Sequence, residues 1–244
     1  MMLAFGVAAA VAFAACARKA PGVDPKKFNS TWQSAQSQHF IVWTPPHSPR
    51  TFETLAKFGE ACDGIWDQVV RVLELKPPDS ISLYLFTTNQ DCEAATGHGA
   101  GFVEGFNVFT NLGAPVGGVI AEACCNSIDP EARSFPLVRN GVRVLFEQRD
   151  RNLHEEAAAL RAAGRLPKLA DLIAGTPVND KQAYDVASAS FLSYLIARHG
   201  TDQFKMLWKS VLELRPSLER IYGGTIDQMD GEWNHFLDRE AKRT

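Results

Sequence analysis

Three side chains within four positions, Glu122, Cys124 and Cys125, are the densest group in this chain that could do chemistry. A carboxylate can activate a water, and thiolates can ligate zinc. Successive helical residues diverge by about 100°, so adjacent Cys124 and Cys125 are poorly placed to serve one tetrahedral ion. A site built on Cys125 would therefore need Glu122, Asn140 or His98 from elsewhere. Zinc hydrolysis ordinarily uses two histidines four residues apart with a glutamate between them. His39, His47, His98, His154, His199 and His235 contain no such pair. His154-Glu155 begins one, but Ala158 stands where the second His would fall. Arg139 and Arg143 lie four apart and, with Arg133, Arg149 and Arg151, give their segment a mild positive bias. That pattern is expected of a solvated helix face more than of an anion site. The chain has no GxSxG elbow, P-loop or CxxC, so serine-nucleophile, nucleotide and thioredoxin-type chemistry have no support.

These residues need elements to hold them. The 244 residues are 45% hydrophobic and 22% charged with net charge -3, which excludes disorder for the bulk of the chain. A sequence pI near 6.1 without a long basic run argues against nucleic acid as a partner. Met1 to Ala15 is uncharged and apolar, too short for the roughly 20 residues of a membrane-spanning helix, and reads as a secretory signal. Ala17 to Ser37 is rich in Pro, Lys and Ser and reads as a tether, so the fold is expected to start near Gln38. In an oxidising compartment Cys62, Cys92, Cys124 and Cys125 could form one or two disulfides, or all four could be small buried residues.

Strands are expected at Phe40 to Trp43 and Ile81 to Phe86, with a helix over Phe52 to Leu75 between them. Gly97 to Gly101 precedes a third, glycine-loosened strand over Phe102 to Phe109. Those glycines do not follow a strand and open a helix, so they are not a dinucleotide fingerprint. From Val116 onward apolar spacing predicts helices over Val119 to Cys125, Leu137 to Phe146, Leu153 to Ala163, Ala183 to Ala197, Phe204 to Leu212 and Ile226 to Leu237. Breaks are expected at Pro130, Gly164, Gly175, Gly200, Pro216 and Gly223-Gly224.

Two stretches carry resemblances. Phe13-Ala14-Ala15-Cys16 resembles the lipobox of bacterial lipoproteins, which implies cleavage before Cys16 and lipidation of that residue; a plain secretory cleavage near Ala15 or Ala17 is the alternative. Ala121-Glu122-Ala123-Cys124-Cys125, followed by Pro136-Leu137-Val138-Arg139-Asn140-Gly141, resembles the HExxH helix and second ligand helix of gluzincin zinc peptidases, in particular bacterial peptidase MA-like domains. Ala183-Tyr184, Ser190 to Leu195 with His199-Gly200, and Ser217 to Thr225 with Trp233 and Leu237 resemble the family's later helices. The resemblance implies that Glu122 matches the general base, that Ala121, Cys125 and Asn140 replace all three metal ligands, and that Tyr184 is a candidate cleft residue.

The combined expectation is an α+β fold: a small N-terminal mixed sheet with helices, then a mostly helical half, gluzincin-like and predominantly helical overall. Residues 1–15 would be signal peptide, 16–37 lipid-attachment Cys and tether, and 38–244 a peptidase MA-like domain divided at 115/116. The expected function is a non-catalytic peptide- or protein-binding or scaffolding module of the cell envelope, lipid-anchored and periplasm-facing, or secreted. No cofactor, nucleotide or nucleic acid is expected, and catalytic and metal residues are expected to be lacking. The alternatives are an active zinc metallopeptidase with unusual ligands including Cys125, and a purely structural assembly subunit.

Overall fold

The computed structural model describes residues 23–131, 134–147, 151–175 and 179–240. Its N-terminal part runs α1 (Lys26–Asn29), β1 (Gln33–Gln36), β2 (Phe40–Thr44), α2 (Phe52–Leu73), β3 (Ile81–Phe86), α3 (Asn89–Thr96), β4 (Phe102–Glu104) and β5 (Asn107–Asn111). The rest is helical: α4 (Gly117–Cys125), α5 (Pro136–Glu147), α6 (Leu153–Ala162), α7 (Leu169–Ala174), α8 (Lys181–His199), α9 (Thr201–Trp208), α10 (Leu214–Tyr222) and α11 (Ile226–Glu240). The chain is mixed α/β and predominantly helical, as its patterning implies. The signal segment and Cys16 lie outside the described residues.

The sheet order is β1-β2-β3-β5-β4, with β2, β3 and β5 parallel and the two edge strands antiparallel to their neighbours. The central strands are apolar on both faces because both faces are covered. Ile81, Leu83 and Leu85 of β3 enter the main core with Phe40, Val42 and Val108. Tyr84 and Phe86 point the other way, into a second cluster with Phe28, Cys92 and Phe109. The main core is continuous from the sheet to Trp233 and Leu237 of α11, so the strand-rich and helical halves are packed on one apolar interior.

Four expectations need correction. The fold begins before Gln38: Phe28 of α1 is buried in the aromatic cluster, the Tyr84 hydroxyl donates to Asn29 Oδ1 at 2.9 Å, and β1 pairs with β2. The sequence of β1, Gln-Ser-Ala-Gln, buries only Ala35 and so carries no apolar alternation. The single strand over Phe102 to Phe109 is instead the hairpin β4–β5, turning at Gly105-Phe106, where Gly105 takes a φ of 58° that the tight turn requires. Pro216 does not break a helix; it sits in the first turn of α10, where a backbone N–H would have no intrahelical partner. Finally, α3 and α7 were not expected. Thr88 and Asp91 start α3 with a reciprocal capping box, a local signal that outweighs its weak apolar pattern.

The helical half is organised by three backbone-to-backbone contacts. A Cβ on Gly117 would lie 2.2 Å from the Phe146 carbonyl oxygen, one on Gly118 would lie 2.7 Å from that of Arg143, and one on Gly141 would lie 2.8 Å from that of Ser188. Glycine at these positions lets α4 press onto α5, and α5 onto α8, closer than any side chain permits. We therefore expect Gly117→Ala to destabilise the chain by about 3 kcal/mol or more in urea unfolding, because the obstructing atom is backbone and α5 must move. Gly64→Ala in α2, with nothing within 4 Å of the added methyl, should be neutral or gain up to about 1 kcal/mol. Equal midpoints for the two variants would contradict this packing.

Candidate functional site

Every residue of α4 is buried, and Glu122, 2% exposed, is its one ionisable carboxylate. A buried carboxylate is tolerable only if it is paired and hydrogen-bonded. The partners come from α5. Arg139 donates to Glu122 Oε1 through Nε at 2.9 Å and again through Nη2, and Arg143 donates through Nε to Oε2. Arg139 and Arg143 are one helical turn apart, as Gly118 and Glu122 are on α4. The glycine contact and the ion pair are thus successive turns of one helix crossing. The guanidinium-bearing side chains remain 43% and 30% exposed, so charge passes from the buried carboxylate to the surface. The expectation of a plain solvated face for this arginine pair is corrected: the anion they bind is the chain's own Glu122. Both carboxylate oxygens are occupied, and each would have to be released before Glu122 could activate a water.

The positions that the sequence resemblance would match to metal ligands are dispersed into packing. Ala121 and Cys125 are fully buried in the main core. Burial, then the neighbouring Cys124 and Glu122, hold the Cys125 thiol well above its ordinary 9.0, and burial pushes the Cys124 thiol up to about 12. Such thiols stay protonated near neutral pH and make poor ligands unless a metal displaces the proton. Asn140 Nδ2 donates to Asp185 Oδ1 at 3.1 Å, and the other oxygen of Asp185 pairs with Lys181. His98 packs against Phe102, whose ring belongs to the cluster on the opposite face of the sheet from Cys125. Among the described residues, no group of three or more His, Cys, Asp or Glu side chains is arranged to hold a metal ion.

The four described cysteines are free and buried. Cys92 lies in the aromatic cluster, whereas Cys62, Cys124 and Cys125 lie in the main core across the sheet. In this structure all four stand as small buried residues, with Cys92 separated from the other three by the sheet. Tyr184 is half-buried and lines a cavity of about 580 Å³ with Phe135, Leu137, Leu172 and Leu214; Glu122, Asn140 and Cys125 are not among its walls.

One pairing escaped the sequence reading because its members are 36 residues apart: His154 Nδ1 lies 3.0 Å from Ser190 Oγ. The Trp233 indole N–H donates to the same oxygen at 3.2 Å, which directs the Ser190 proton toward His154. Burial lowers the His154 pKa below its ordinary 6.5 and favours the neutral, accepting ring. Ser190 is completely buried, so this pair joins α6, α8 and α11 and offers no nucleophile to a substrate.

In comparisons with known proteins, the chain matches no family model, no curated protein and no solved structure. Glu122→Gln keeps the side-chain size but removes the charge that two guanidinium groups share. It should lower unfolding stability by about 2 to 3 kcal/mol, less than the loss for a fully enclosed pair because both arginines can turn to water. Urea unfolding at constant ionic strength measures this. Stability equal to or above that of the parent would mean that the carboxylate is held for chemistry at the expense of the fold.

Proposed function

We propose that this chain is an exported, lipid-anchored protein of the cell envelope, with a gluzincin-like fold whose peptidase centre has become a structural joint. On this reading it is a non-catalytic module that binds peptide or protein. The observation that carries the proposal is the double engagement of Glu122: the carboxylate aligned with the family's general base has both oxygens bound to Arg139 and Arg143. The order of elements also supports it. A mixed sheet is followed by the helix bearing Glu122, then by a helix that opens with Pro136 and carries Asn140-Gly141, then by further helices. That is the order the resemblance leads one to expect, although fold alone does not fix function.

The anchor belongs to the same proposal. With Cys16 lipidated, the anchor would lie ten residues before α1, the first element of the described fold. The domain would then work close to the membrane surface, held by its acyl chains. Among the described residues no helix is long and apolar enough to cross a membrane.

The binding surface best suited to a peptide is the edge strand β4. It ends the sheet, runs antiparallel to β5, and lies beside α4. An extended peptide could continue the ladder there, with backbone hydrogen bonds supplying affinity and neighbouring side chains selectivity. β4 is only three residues long, so a bound segment would be short. A peptide library screened against the metal-free chain should return binders whose amide-exchange protection maps to Phe102–Glu104. Val103→Pro, at the middle of that edge strand, should abolish their binding. No binders across a broad library, or binders that map elsewhere, would overturn the β4 assignment.

A further inference from the structure

Two cavities that do not include Glu122 among their walls share lining residues. The first, of about 580 Å³, is lined by Tyr194, Arg198, Gln228, Glu232, His235 and Arg239. The second, of about 310 Å³, has Tyr194, Arg198, Gln228 and Glu232 in common with it and adds His199 and Tyr222. They form one groove along the C-terminal half of α8, the end of α10 and the face of α11. Positions 228, 232, 235 and 239 recur at helical spacing on α11, and 194 and 198 are one turn apart on α8, so two rows of polar side chains face each other.

The charges in this groove run against those of the whole chain. The protein carries a net charge of -3, yet the groove holds two guanidinium groups against one carboxylate, Glu232, with His199 and His235 beside them; burial and the neighbouring Arg198 lower the His199 pKa below its ordinary 6.5. That carboxylate engages two of the groove's donors: Glu232 Oε2 accepts from the Tyr194 hydroxyl at 3.1 Å and lies 3.3 Å from Arg198 Nε. A guanidinium has five donors in a planar fork, so this contact leaves Arg198 with donors for a second anion. A further donor borders the groove. The Tyr222 hydroxyl is buried and has no hydrogen-bond partner among the described residues, its ring lying edge-on to His199. A concave surface with a surplus of one sign of charge concentrates its field on an incoming ligand of the other sign.

We infer that the groove between α8 and α11 is a binding site for a small oxyanion of two or more negative charges, a phosphate ester or a polycarboxylate. Arg198 and Arg239 hold the charged oxygens, and Gln228, His235 and Tyr222 supply further donors. Glu232 is an internal competitor that occupies part of Arg198 when the ligand is absent. This site is on a different part of the molecule from β4 and does not rest on peptide binding there.

The test is calorimetric titration of the purified full chain at low ionic strength and neutral pH, with inorganic pyrophosphate in one arm and citrate in the other. Submillimolar saturation by either supports the site, and the preferred arm assigns the phosphate or the carboxylate class. Arg239→Gln, at an exposed position on α11, should weaken binding about tenfold, the scale of one charge-assisted hydrogen bond. Glu232→Gln should do the opposite and tighten binding severalfold, because it frees Arg198. A general surface attraction would respond to both substitutions only weakly, and a structural role for Glu232 would not strengthen binding. Failure of both anions to saturate in the millimolar range overturns the inference, as does saturable binding that neither variant changes.

Discussion

The crossing of α4 and α5 is the contact on which the rest of the structure depends. Gly117 and Gly118 bring α4 against the backbone of Arg143 and Phe146, and one turn further along the same face Glu122 meets Arg139 and Arg143. The two features require each other. Without the glycines the helices would stand too far apart for short ion pairs, and without the arginines a buried carboxylate in an otherwise apolar helix would have no compensation. Gly141 repeats the device one layer on, against Ser188 of α8. A sheet, a buried helix and a helical half are thereby locked into a single interior.

This arrangement bears on function because it uses the residues that catalysis would need. A general base must present a free oxygen to a water or a substrate, and a metal must find several donors converging on one point. Glu122 instead accepts from two guanidinium groups, Asn140 bonds to Asp185, and Ala121 and Cys125 fill the core. Each side chain has a structural explanation that needs no ligand. The side chains of the α8–α11 groove and the backbone of the β4 edge have no such structural duty at the α4–α5 crossing. Binding is the kind of activity such surfaces can support.

Much of the fold is legible from local pattern. The β-rich runs at Phe40 and Ile81 and most helices from Val119 onward follow their apolar periodicity, although α9 ends at Trp208, short of the expected Leu212. The parts that are not legible are those whose reason is tertiary. β1 is polar because it is an edge strand; α1 is held by Phe28 entering an aromatic cluster assembled from β3 and β5. At the candidate site, that Ala121, Cys125 and Asn140 are not the residue types the resemblance would require of zinc ligands can be read directly from the sequence. The role of Glu122 cannot, because it depends on two arginines 17 and 21 residues away on another helix. Two signals were nevertheless present: a lone acid within the apolar run Gly117–Cys125, and an Arg139/Arg143 pair at helical spacing on the next element. Taken separately they suggest a relic and a solvated face; taken together they specify an ion pair. The groove gave no such hint, since its residues are scattered from Tyr194 to Arg239 and only the packing of α8 on α11 assembles them.

The most direct test of the claim that this centre is structural is its zinc content. Elemental analysis of the folded chain from residue 17 onward, which retains every described element, should be made after purification without chelators. The account predicts a stoichiometry near zero, with Glu122 still bound to its two arginines. About one zinc per chain, lost on Cys125→Ser, would contradict it and establish Cys125 as a ligand in a working metal site.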